Sequence, residues 1–357
     1  METTKRAWTL GQLAQLLNGT LDGPADRLIV RPVPAGISDP AGITFAESPE
    51  YLSRAIRADV GAVLVARGTT SPGVATIQTD HPRAAFGRVL AMFQRPLPLA
   101  PGIHPTAVIS PDAIISPTAM VGPYAVVERH ATIGDGTKIY SFAYVGEGCS
   151  IGKNVTINPH AVLYQDVTVG DRSIIHAGAI VGADGFGFVW NGPDRAFRVK
   201  VPQVGTVEIG SDVEIGALTA VDRATAGSTV LGQGVKLDNL VQIGHNCKIG
   251  EHTVIAGQTA MGGSSEAGRR NDIGGHVAIT DHVKVGDNVI LAGRTGVTND
   301  IDEPGPYWGT PARPMGMAKR IIAVMQRLPE MHRTIRDLEN RLAKLEQKAS
   351  DSEQPCK

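Results

Sequence analysis

Aliphatic residues recur at every sixth position through the middle of the chain. From residue 103 to residue 186 there are fourteen consecutive hexads, and the fifth position of each is small or slender, most often Ala. The fourteen leading residues are all aliphatic: Ile103, Ile109, Ile115, Val121, Val127, Ile133, Ile139, Val145, Ile151, Ile157, Leu163, Val169, Ile175 and Val181. A chance apolar run does not hold its phase over fourteen hexads, so a repeat architecture is the primary prediction.

A period of six residues fits neither an α-helix nor strands joined by two-residue turns. It predicts short strands with a corner after each, three sides making one coil of eighteen residues. Successive coils then stack as parallel strands about 4.8 Å apart. The leading aliphatic residues fill the interior, and the small fifth residues fit where the sides face one another. Six of the fourteen second positions are Gly, and we expect a left-handed backbone there.

The hexad phase returns at residue 209, slips by four residues at 227–230, and then continues from Leu231 for twelve more hexads. The weakest of these is the hexad 267–272, which begins with Ala and has Asn in fifth place. Residues 187–205 break the pattern and are predicted to form an external loop. The fold class expected is mainly β, with a parallel β-helix of hexapeptide repeats over residues 99–308.

Residues 1–98 contain no hexads and are predicted to form a small α/β domain. A short amphipathic helix is expected at Leu10–Asn18, a buried strand at Gly61–Ala66 and a second helix at Pro82–Phe93. The proline-rich stretch 96–102 is the expected linker.

Residues 309–357 form a C-terminal extension in which two helices are expected, Met315–Leu328 and Glu330–Ala349, divided at Pro329. Apolar residues recur in the second helix at spacings of four, three, four and three: Met331, Ile335, Leu338, Leu342 and Leu345. This stripe is either a coiled-coil seam about two heptads long or the face of a helix that lies against its own β-helix. The sequence leaves both alternatives open.

Composition excludes several classes of protein. Lys plus Arg is 34 and Asp plus Glu is 35, a balance that argues against a nucleic-acid binder. Aromatic residues are only 4% of the chain, as expected of a column too narrow for rings. The three cysteines lie far apart, which favours reduced thiols in the cytoplasm over disulfides or a zinc site. No apolar run of about 20 residues is present, so we expect a soluble protein without a membrane span.

Stacking by eighteens places three functional candidates along one edge. His245 is third in its hexad, Gly263 follows eighteen residues later, and His282 follows thirty-seven residues after His245. An imidazole can act as general base, and glycine N–H groups can hold an oxyanion. The polar residues expected around them are Asp238, Asn239, Gln242 and Asn246. The alternative for His245 is a solvated surface histidine.

Four segments carry a family resemblance: GADGFGF (182–188), EIGALTAVDRAT (214–225), DNLVQIGHN (238–246) and GITFAESPEY (42–51). They resemble the UDP-3-O-(3-hydroxyacyl)glucosamine N-acyltransferase family of lipid A biosynthesis, which belongs to the left-handed parallel β-helix acyltransferases. The left hand is implied by this resemblance alone, since the usual crossover rule predicts the opposite hand.

The resemblance implies a reaction and a set of roles. A 3-hydroxyacyl group would move from the phosphopantetheine of an acyl carrier protein to the 2-amine of UDP-3-O-(3-hydroxyacyl)glucosamine, with no bound cofactor. His245 would be the general base, Gly263 the oxyanion-hole glycine and His282 a second substrate-site histidine. The protein would be a homotrimer with three sites between neighbouring β-helices.

In the same family the N-terminal domain holds uracil between two aromatic residues, which correspond to Phe45 and Tyr51. Ser48 stands where the family has Asn, so the hydrogen bond of that residue is in question. Two rings six residues apart on a loop could sandwich a base, but both could equally be core residues of the small domain. The hexad 267–272 is a second departure from the family pattern, and it changes either the acyl groove or only a surface turn.

Three rival functions remain. An O-acyltransferase acting on UDP-N-acetylglucosamine shares the β-helix but lacks the N-terminal domain. A zinc enzyme of the carbonic anhydrase type needs three converging histidines, whereas His245, His252 and His276 do not share one hexad position and corner. No metal site is therefore expected. The third rival is a binding scaffold without catalysis.

Overall fold

The computed structural model describes residues 7–71, 73–95 and 97–352. Contacts divide the chain into two units, Met1–Pro98 and Leu99–Lys357. Each unit has its own buried apolar core.

The smaller unit is an α/β domain. Its helices are α1 (Leu10–Leu17), α2 (Pro49–Arg57) and α3 (Pro82–Phe93). Its five-stranded sheet has the order Thr20–Asp22, Ala75–Thr79, Val60–Ala66, Asp39–Phe45 and Arg31–Pro32, and Trp8–Thr9 pairs separately with Leu28–Ile29. The central strand Val60–Ala66 is buried over its first six residues, as an apolar run between two parallel neighbours requires. The two helices and the strand predicted from the sequence are confirmed to within one residue.

The larger unit is a parallel β-helix with three faces. Face 1 contains Gly102–Ile103, Met120–Val121, Lys138–Ile139, Thr156–Ile157, Ile174–Ile175, Glu214–Ile215, Lys236–Leu237, Val254–Ile255, Asp272–Ile273, Val289–Leu291, Gly305–Trp308 and the antiparallel Arg313–Pro314. Face 2 contains Val108–Ile109, Val126–Val127, Tyr144–Val145, Val162–Leu163, Ile180–Ala183, Ala220–Asp222, Gln242–Ile243, Ala260–Met261, Ala278–Ile279 and Gly296–Val297. Face 3 contains Ile114–Ile115, Thr132–Ile133, Ser150–Ile151, Thr168–Val169, Thr206–Ile209, Ser228–Leu231, Lys248–Ile249, Glu266–Ala267 and Lys284–Val285.

Strand pairing follows the eighteen-residue coil predicted from the hexads. Ile243 pairs with Met261, and Met261 pairs with Ile279. The leading aliphatic residues are buried from Val121 onward, whereas Ile103, in the first coil, is 50% exposed. The prediction that these residues fill the column is confirmed, and burial of their apolar surface is its main source of stability.

A polar residue at the fifth position can be buried in the column when its side chain is hydrogen-bonded to the adjoining coils. Asn271, in the irregular hexad 267–272, is fully buried and receives hydrogen bonds from and donates them to the adjoining coils. Its N–H donates to Thr253 Oγ1 (3.1 Å), its Nδ2 donates to the Gly286 carbonyl (2.8 Å), and its Oδ1 accepts the Val289 N–H (2.7 Å). The hexad therefore keeps its place in the frame, because every polar atom of the Asn271 side chain has a partner.

The backbone conformation at the corners shows that one prediction, a left-handed backbone at the second position of the hexad, is wrong. The left-handed residues are at the fourth position of the hexad, as at Asn246 (φ 61°) and His282 (φ 59°), and of the six second-position glycines only Gly182 has positive φ. A Cβ on Gly134 would come within 2.6 Å of the Gly152 carbonyl oxygen of the next coil. Glycine is favoured at the second position because the backbones of successive coils approach closely there.

The predicted external loop leaves the column after Ala183 and carries its own hairpin, Phe188–Trp190 paired with Arg198–Lys200. Where the chain departs, the buried Arg223 donates from Nε to the Gly182 carbonyl (2.8 Å) and from its terminal nitrogen to the Gln165 carbonyl (3.0 Å). A guanidinium group with several donors thus satisfies carbonyls that the interrupted coil leaves without strand partners.

The slip at residues 227–230 lengthens a strand instead of breaking the column. Ser228–Leu231 forms four consecutive pairs with Thr206–Ile209. The extra residues therefore extend the pairing on face 3.

The C-terminal helices are α4 (Met315–Met325) and α5 (Leu328–Ser352). The predicted boundary at Pro329 is wrong, because Pro329 is the second residue of α5, where a missing N–H costs no helical hydrogen bond. The five stripe residues Met331, Ile335, Leu338, Leu342 and Leu345 are between 44% and 63% exposed. This stripe does not pack against the chain's own β-helix, so that alternative is wrong.

Candidate active site at one corner of the β-helix

His245, Gly263 and His282 lie on three successive coils at the corner between face 2 and face 3. The Ser264 N–H donates to the His245 carbonyl (2.7 Å), and the His282 N–H donates to the Gly263 carbonyl (3.1 Å). The common edge predicted from the spacing of these residues is confirmed.

The His245 ring is half-buried between two glycine backbones. A Cβ on Gly185 would lie 2.7 Å from His245 Cβ, and a Cβ on Gly263 would collide with His245 Nε2. Both positions need Gly because the imidazole occupies the space that a side chain would fill. The role of Gly185 was not predicted, although this residue belongs to the segment GADGFGF.

Asn246 fixes the orientation of the imidazole. His245 Nδ1 is 3.1 Å from Asn246 Oδ1, which also accepts the Thr225 N–H (2.9 Å), while Asn246 Nδ2 donates to the Ala226 carbonyl (2.9 Å). Since the backbone partners identify Oδ1 as the acceptor, Nδ1 carries the proton and Nε2 is left as the basic nitrogen. The Asn246 amide thus holds His245, and the substrate-binding role predicted for Asn246 stays a prediction.

The Gly263 N–H makes no hydrogen bond within residues 7–71, 73–95 and 97–352. At another corner, the third-position N–H of Arg269 donates to Asp287 Oδ1 of the next coil (2.7 Å). Gly263 therefore presents an unused backbone donor beside the ring of His245.

Asp222 is an additional titratable group at this site that sequence reasoning missed. It ends the strand Ala220–Asp222, which pairs directly with Gln242–Ile243, and its carboxyl is hydrogen-bonded to Gln242 and interacts electrostatically with His245. Burial raises the pKa of Asp222, the Gln242 hydrogen bond and the His245 charge oppose that rise, and Asp184 adds to it. Its signal in the sequence was the segment AVDRAT, to which no role had been given.

Replacing Asp222 by Asn is expected to raise the free energy of unfolding relative to that of the wild type, and the difference should grow as the pH rises. The folded pKa of Asp222 lies above its unfolded value of 3.8, so the wild type loses stability as the pH rises through the folded pKa, and the variant does not. Denaturant unfolding of both proteins between pH 3.5 and pH 7 measures the difference.

The matched control is Asp212→Asn. The stability difference between this variant and the wild type should change with pH in the opposite direction. The Arg172 hydrogen bond holds the pKa of Asp212 below its usual range, so its stabilising effect is lost as the pH falls through the folded pKa. A stability difference between wild type and Asp222→Asn that stays constant across this range would contradict the prediction.

Asp238 and Asn239 lie one corner earlier, between face 1 and face 2, although the sequence suggested that they surround His245. Asp238 Oδ2 accepts the Gly257 N–H (2.9 Å), and Asn239 Oδ1 accepts the Ala217 N–H (2.7 Å). Their side chains join three successive coils. Gln242 is exposed on face 2 beside Asp222, and a substrate-binding role for all three residues stays a prediction.

The residues predicted to hold uracil share one cavity of about 650 Å³ in the small unit. Phe45 lines it and also packs against Phe86 with ring centroids 5.0 Å apart, so its ring belongs partly to the core. Tyr51 is 49% exposed. Ser48 caps α2, its Oγ accepting the Tyr51 N–H (3.4 Å), a contact that uses the hydroxyl oxygen as an acceptor and leaves its O–H as a donor.

Within the described parts of the chain, no three His, Cys, Asp or Glu residues form a group that could hold a metal ion. His245, His252 and His276 lie at three different corners of the column. None of the helices in the described ranges is both long enough and apolar enough to cross a membrane.

The repeats of this chain match a known family model, and its β-helix is similar to a solved structure. The family model for bacterial transferase hexapeptide (six repeats) matches residues 130–165, 148–183 and 228–263. An Arabidopsis UDP-N-acetylglucosamine acyltransferase of known structure is 23% identical with a TM-score of 0.53, and the match covers 58% of this chain and 71% of that one. These findings confirm the fold class, a left-handed parallel β-helix of hexapeptide repeats.

Similar proteins from three bacteria are named UDP-3-O-acylglucosamine N-acyltransferase. The protein from Paracidovorax citrulli is 37% identical over 211 residues, which is 57% of either chain. The Polynucleobacter asymbioticus protein is 35% identical over 57% of this chain and 61% of its own, and the Pseudomonas putida F1 protein is 36% identical over 58% of each. The match thus spans about three fifths of these relatives, and it confirms the resemblance read from the sequence.

Proposed function

We propose that this chain, whose hexapeptide coils resemble those of the UDP-3-O-acylglucosamine N-acyltransferases, is an acyltransferase that moves a 3-hydroxyacyl group from an acyl carrier protein to the 2-amine of UDP-3-O-(3-hydroxyacyl)glucosamine. The observation that carries this proposal is the His245 imidazole, clamped between Gly185 and Gly263 and held at Nδ1 by Asn246. A ring fixed in this way has one basic nitrogen free for proton transfer.

The site residues divide the chemistry between them. His245 Nε2 takes a proton from the amine as the amine nitrogen attacks the thioester carbonyl carbon. The new C–N bond forms, the C–S bond breaks, and the thiol of phosphopantetheine leaves with a proton returned by His245. The unused Gly263 N–H lies beside the ring and would stabilise the negative charge on the carbonyl oxygen. His282, one coil further on, would help to position the substrate.

Asp222 would support the charged intermediate of this reaction. When His245 accepts the proton it becomes an imidazolium, and the carboxylate of Asp222, which interacts electrostatically with His245, stabilises that cation. Asp222 therefore acts through His245 as a positioning residue.

An acyl carrier protein is proposed as the acyl donor because of the family resemblance and because of the charge of the C-terminal helices. Residues 315–348 carry eight Lys or Arg and four Asp or Glu, a basic excess that suits an acidic carrier protein. The protein itself would need no bound cofactor, because the acyl group arrives on the carrier's phosphopantetheine. The free, buried thiols of Cys149 and Cys247 suit the reducing cytoplasm, which is where we place the reaction.

The assay that tests this function presents one 3-hydroxyacyl thioester of acyl carrier protein to the purified full-length chain with two acceptors in separate reactions. We expect transfer to the free amine of UDP-3-O-(3-hydroxyacyl)glucosamine and none to the 3-hydroxyl of UDP-N-acetylglucosamine. Transfer only to the hydroxyl would instead identify the related O-acyltransferase. No transfer to either acceptor, with folded protein and a range of acyl lengths, would leave the binding scaffold as the better interpretation.

We propose further that the chain is a homotrimer, in which the exposed stripe of α5 packs against the same stripe of its neighbours. Leu338 and Leu342 are 54% and 57% exposed in the single chain, which is costly for a helix that stays alone in water. Replacing both by Lys is expected to lower the mass measured by light scattering from three chains toward one, while Arg341→Lys leaves it unchanged. A trimer of unaltered stability in the Leu338→Lys/Leu342→Lys variant would rule out this seam.

A further inference from the structure

We infer that Gln203, on the returning arm of the external loop, is a positioning residue that fixes the His245 imidazole through Thr225 and Asn246. The inference rests on the proposed function, because it concerns how the base of that reaction is held. Gln203 is only 6% exposed, whereas the next residue, Val204, is 77% exposed. A buried amide on an otherwise exposed loop needs hydrogen-bond partners, and those partners lead to the site.

The first step is the pair of hydrogen bonds made by the Gln203 amide. Its Nε2 donates to the Val201 carbonyl (3.0 Å), a group that can only accept, and this identifies Oε1 as the acceptor. Oε1 accepts the hydroxyl of Thr225 (2.9 Å), which follows the strand Ala220–Asp222. The amide therefore joins the loop to the corner beside His245.

The second step is that Thr225 is held at three points. Its hydroxyl donates to Gln203, its carbonyl accepts the Val204 N–H (3.0 Å), and its own N–H donates to Asn246 Oδ1 (2.9 Å). The same Oδ1 lies 3.1 Å from His245 Nδ1. If the Thr225 N–H moved away, Asn246 would lose one of the contacts that keep Oδ1 turned to the ring. The ring would then no longer be restricted to the tautomer with Nε2 free.

The third step is that the two arms of the loop converge on the same imidazole. The Gly187 N–H donates to the carbonyl of Gly185, and Gly185 lies against His245. A Cβ on Gly187 would come within 2.7 Å of Gln203 Nε2, so the departing arm also packs closely against the Gln203 amide. One arm thus contacts the ring, and the other holds the partner of Nδ1.

Kinetics of two variants, each lacking one partner of the bond between Gln203 and Thr225, test this inference. Gln203→Met and Thr225→Val are each expected to lower kcat for acyl transfer by about five- to tenfold, the scale of one hydrogen bond, and to leave KM for the acceptor unchanged. Because both variants remove the same bond, the double variant should lose little more than either single variant. Thr225→Ser keeps the hydroxyl and should retain wild-type kcat.

Nitrogen NMR shifts of the His245 ring supply a readout that a merely structural role would not change. The full-length protein is labelled at histidine and measured at about pH 8.5, where an ordinary imidazole is neutral, and His245→Ala identifies the signals. We expect the wild type to show the tautomer protonated at Nδ1. Gln203→Met and Thr225→Val should show a mixture of the two tautomers.

Thr253→Val is the matched control, because it removes a buried hydroxyl at the corner between face 3 and face 1. Thr253 is fully buried, and its Oγ1 donates to the Gly268 carbonyl (2.7 Å). A thermal melt should show a loss of stability, while kcat and the His245 signals stay as in the wild type. An equal fall of kcat in Thr253→Val and Thr225→Val would contradict the inference, because the loss would then report stability.

The outcomes also separate this inference from the proposed function. If Gln203→Met and Thr225→Val keep wild-type kcat and the tautomer protonated at Nδ1, or if their losses simply add in the double variant, the positioning role is wrong and the proposed function survives. If the wild type transfers no acyl group while both variants still change the tautomer, the proposed function is contradicted and the positioning of His245 stands.

Discussion

Replacing His245 by Ala is expected to lower kcat for acyl transfer by about 10²–10⁴-fold, the range measured for removal of a general base. The structure gives the reason, since Asn246 holds Nδ1 and leaves Nε2 as the only basic atom of the ring. The KM for the acceptor should change little. Initial rates with saturating acyl carrier protein thioester measure the effect.

His252→Ala is the matched control for this substitution. His252 has the same left-handed backbone type as many corner residues (φ 58°), is exposed, and lies at another corner of the column. It should retain wild-type turnover. Wild-type turnover in His245→Ala would reject the base assignment, and equal losses in both variants would show that the assay reports folding.

The structure also limits what a substitution of Gly263 can show. Because a Cβ at this position would collide with His245 Nε2, Gly263→Ala moves the ring as well as the N–H. A loss of activity in that variant reports the displaced base. The oxyanion role is better tested with acyl donors whose carbonyl oxygen is replaced by sulfur, which accepts a weaker hydrogen bond from the same N–H.

Replacing Ile157 by Ala is expected to lower the free energy of unfolding of the β-helix by about 2–5 kcal/mol. Ile157 is fully buried in the column, and it pairs with Ile139 and Ile175 on the adjoining coils. The stacked coils cannot collapse around the missing atoms without breaking strand pairing on the other two faces. Guanidinium unfolding followed by circular dichroism measures the loss.

Ile114→Ala is the matched control, because the same atoms are removed from a side chain that is 69% exposed on face 3. Its effect should stay within about 0.5 kcal/mol. Similar losses for the two substitutions would contradict the assignment of alternating inward and outward positions.

Several features of the site could be predicted because the repeat is regular. The coils that carry His245, Gly263 and His282 contain no insertion, so eighteen residues return the chain to the same corner. The same rule fails across the external loop, where Val181 pairs with Val221, forty residues later. The contact of Gly185 with His245 spans that insertion, and no spacing rule could reveal it.

The side-chain contacts that the spacing could not predict have a different cause, which is competition for hydrogen-bonding groups. Asn239 looked available to a substrate, yet it bonds to the backbone of an adjoining coil, and Asp238 bonds to both its own corner and the next coil. Ser48 likewise caps α2. Asp222 was overlooked because its burial depends on strands and a loop that meet only in the folded column.

The sequence by itself determined the frame of this protein. A six-residue aliphatic period places one residue of each hexad in the interior, and the regular coil length then aligns distant residues along a corner. The tertiary structure alone decided which polar groups at that corner remain free to react. Each donor and acceptor is satisfied first by its neighbours on adjoining coils, and the identity of those neighbours depends on insertions and packing that the period does not encode.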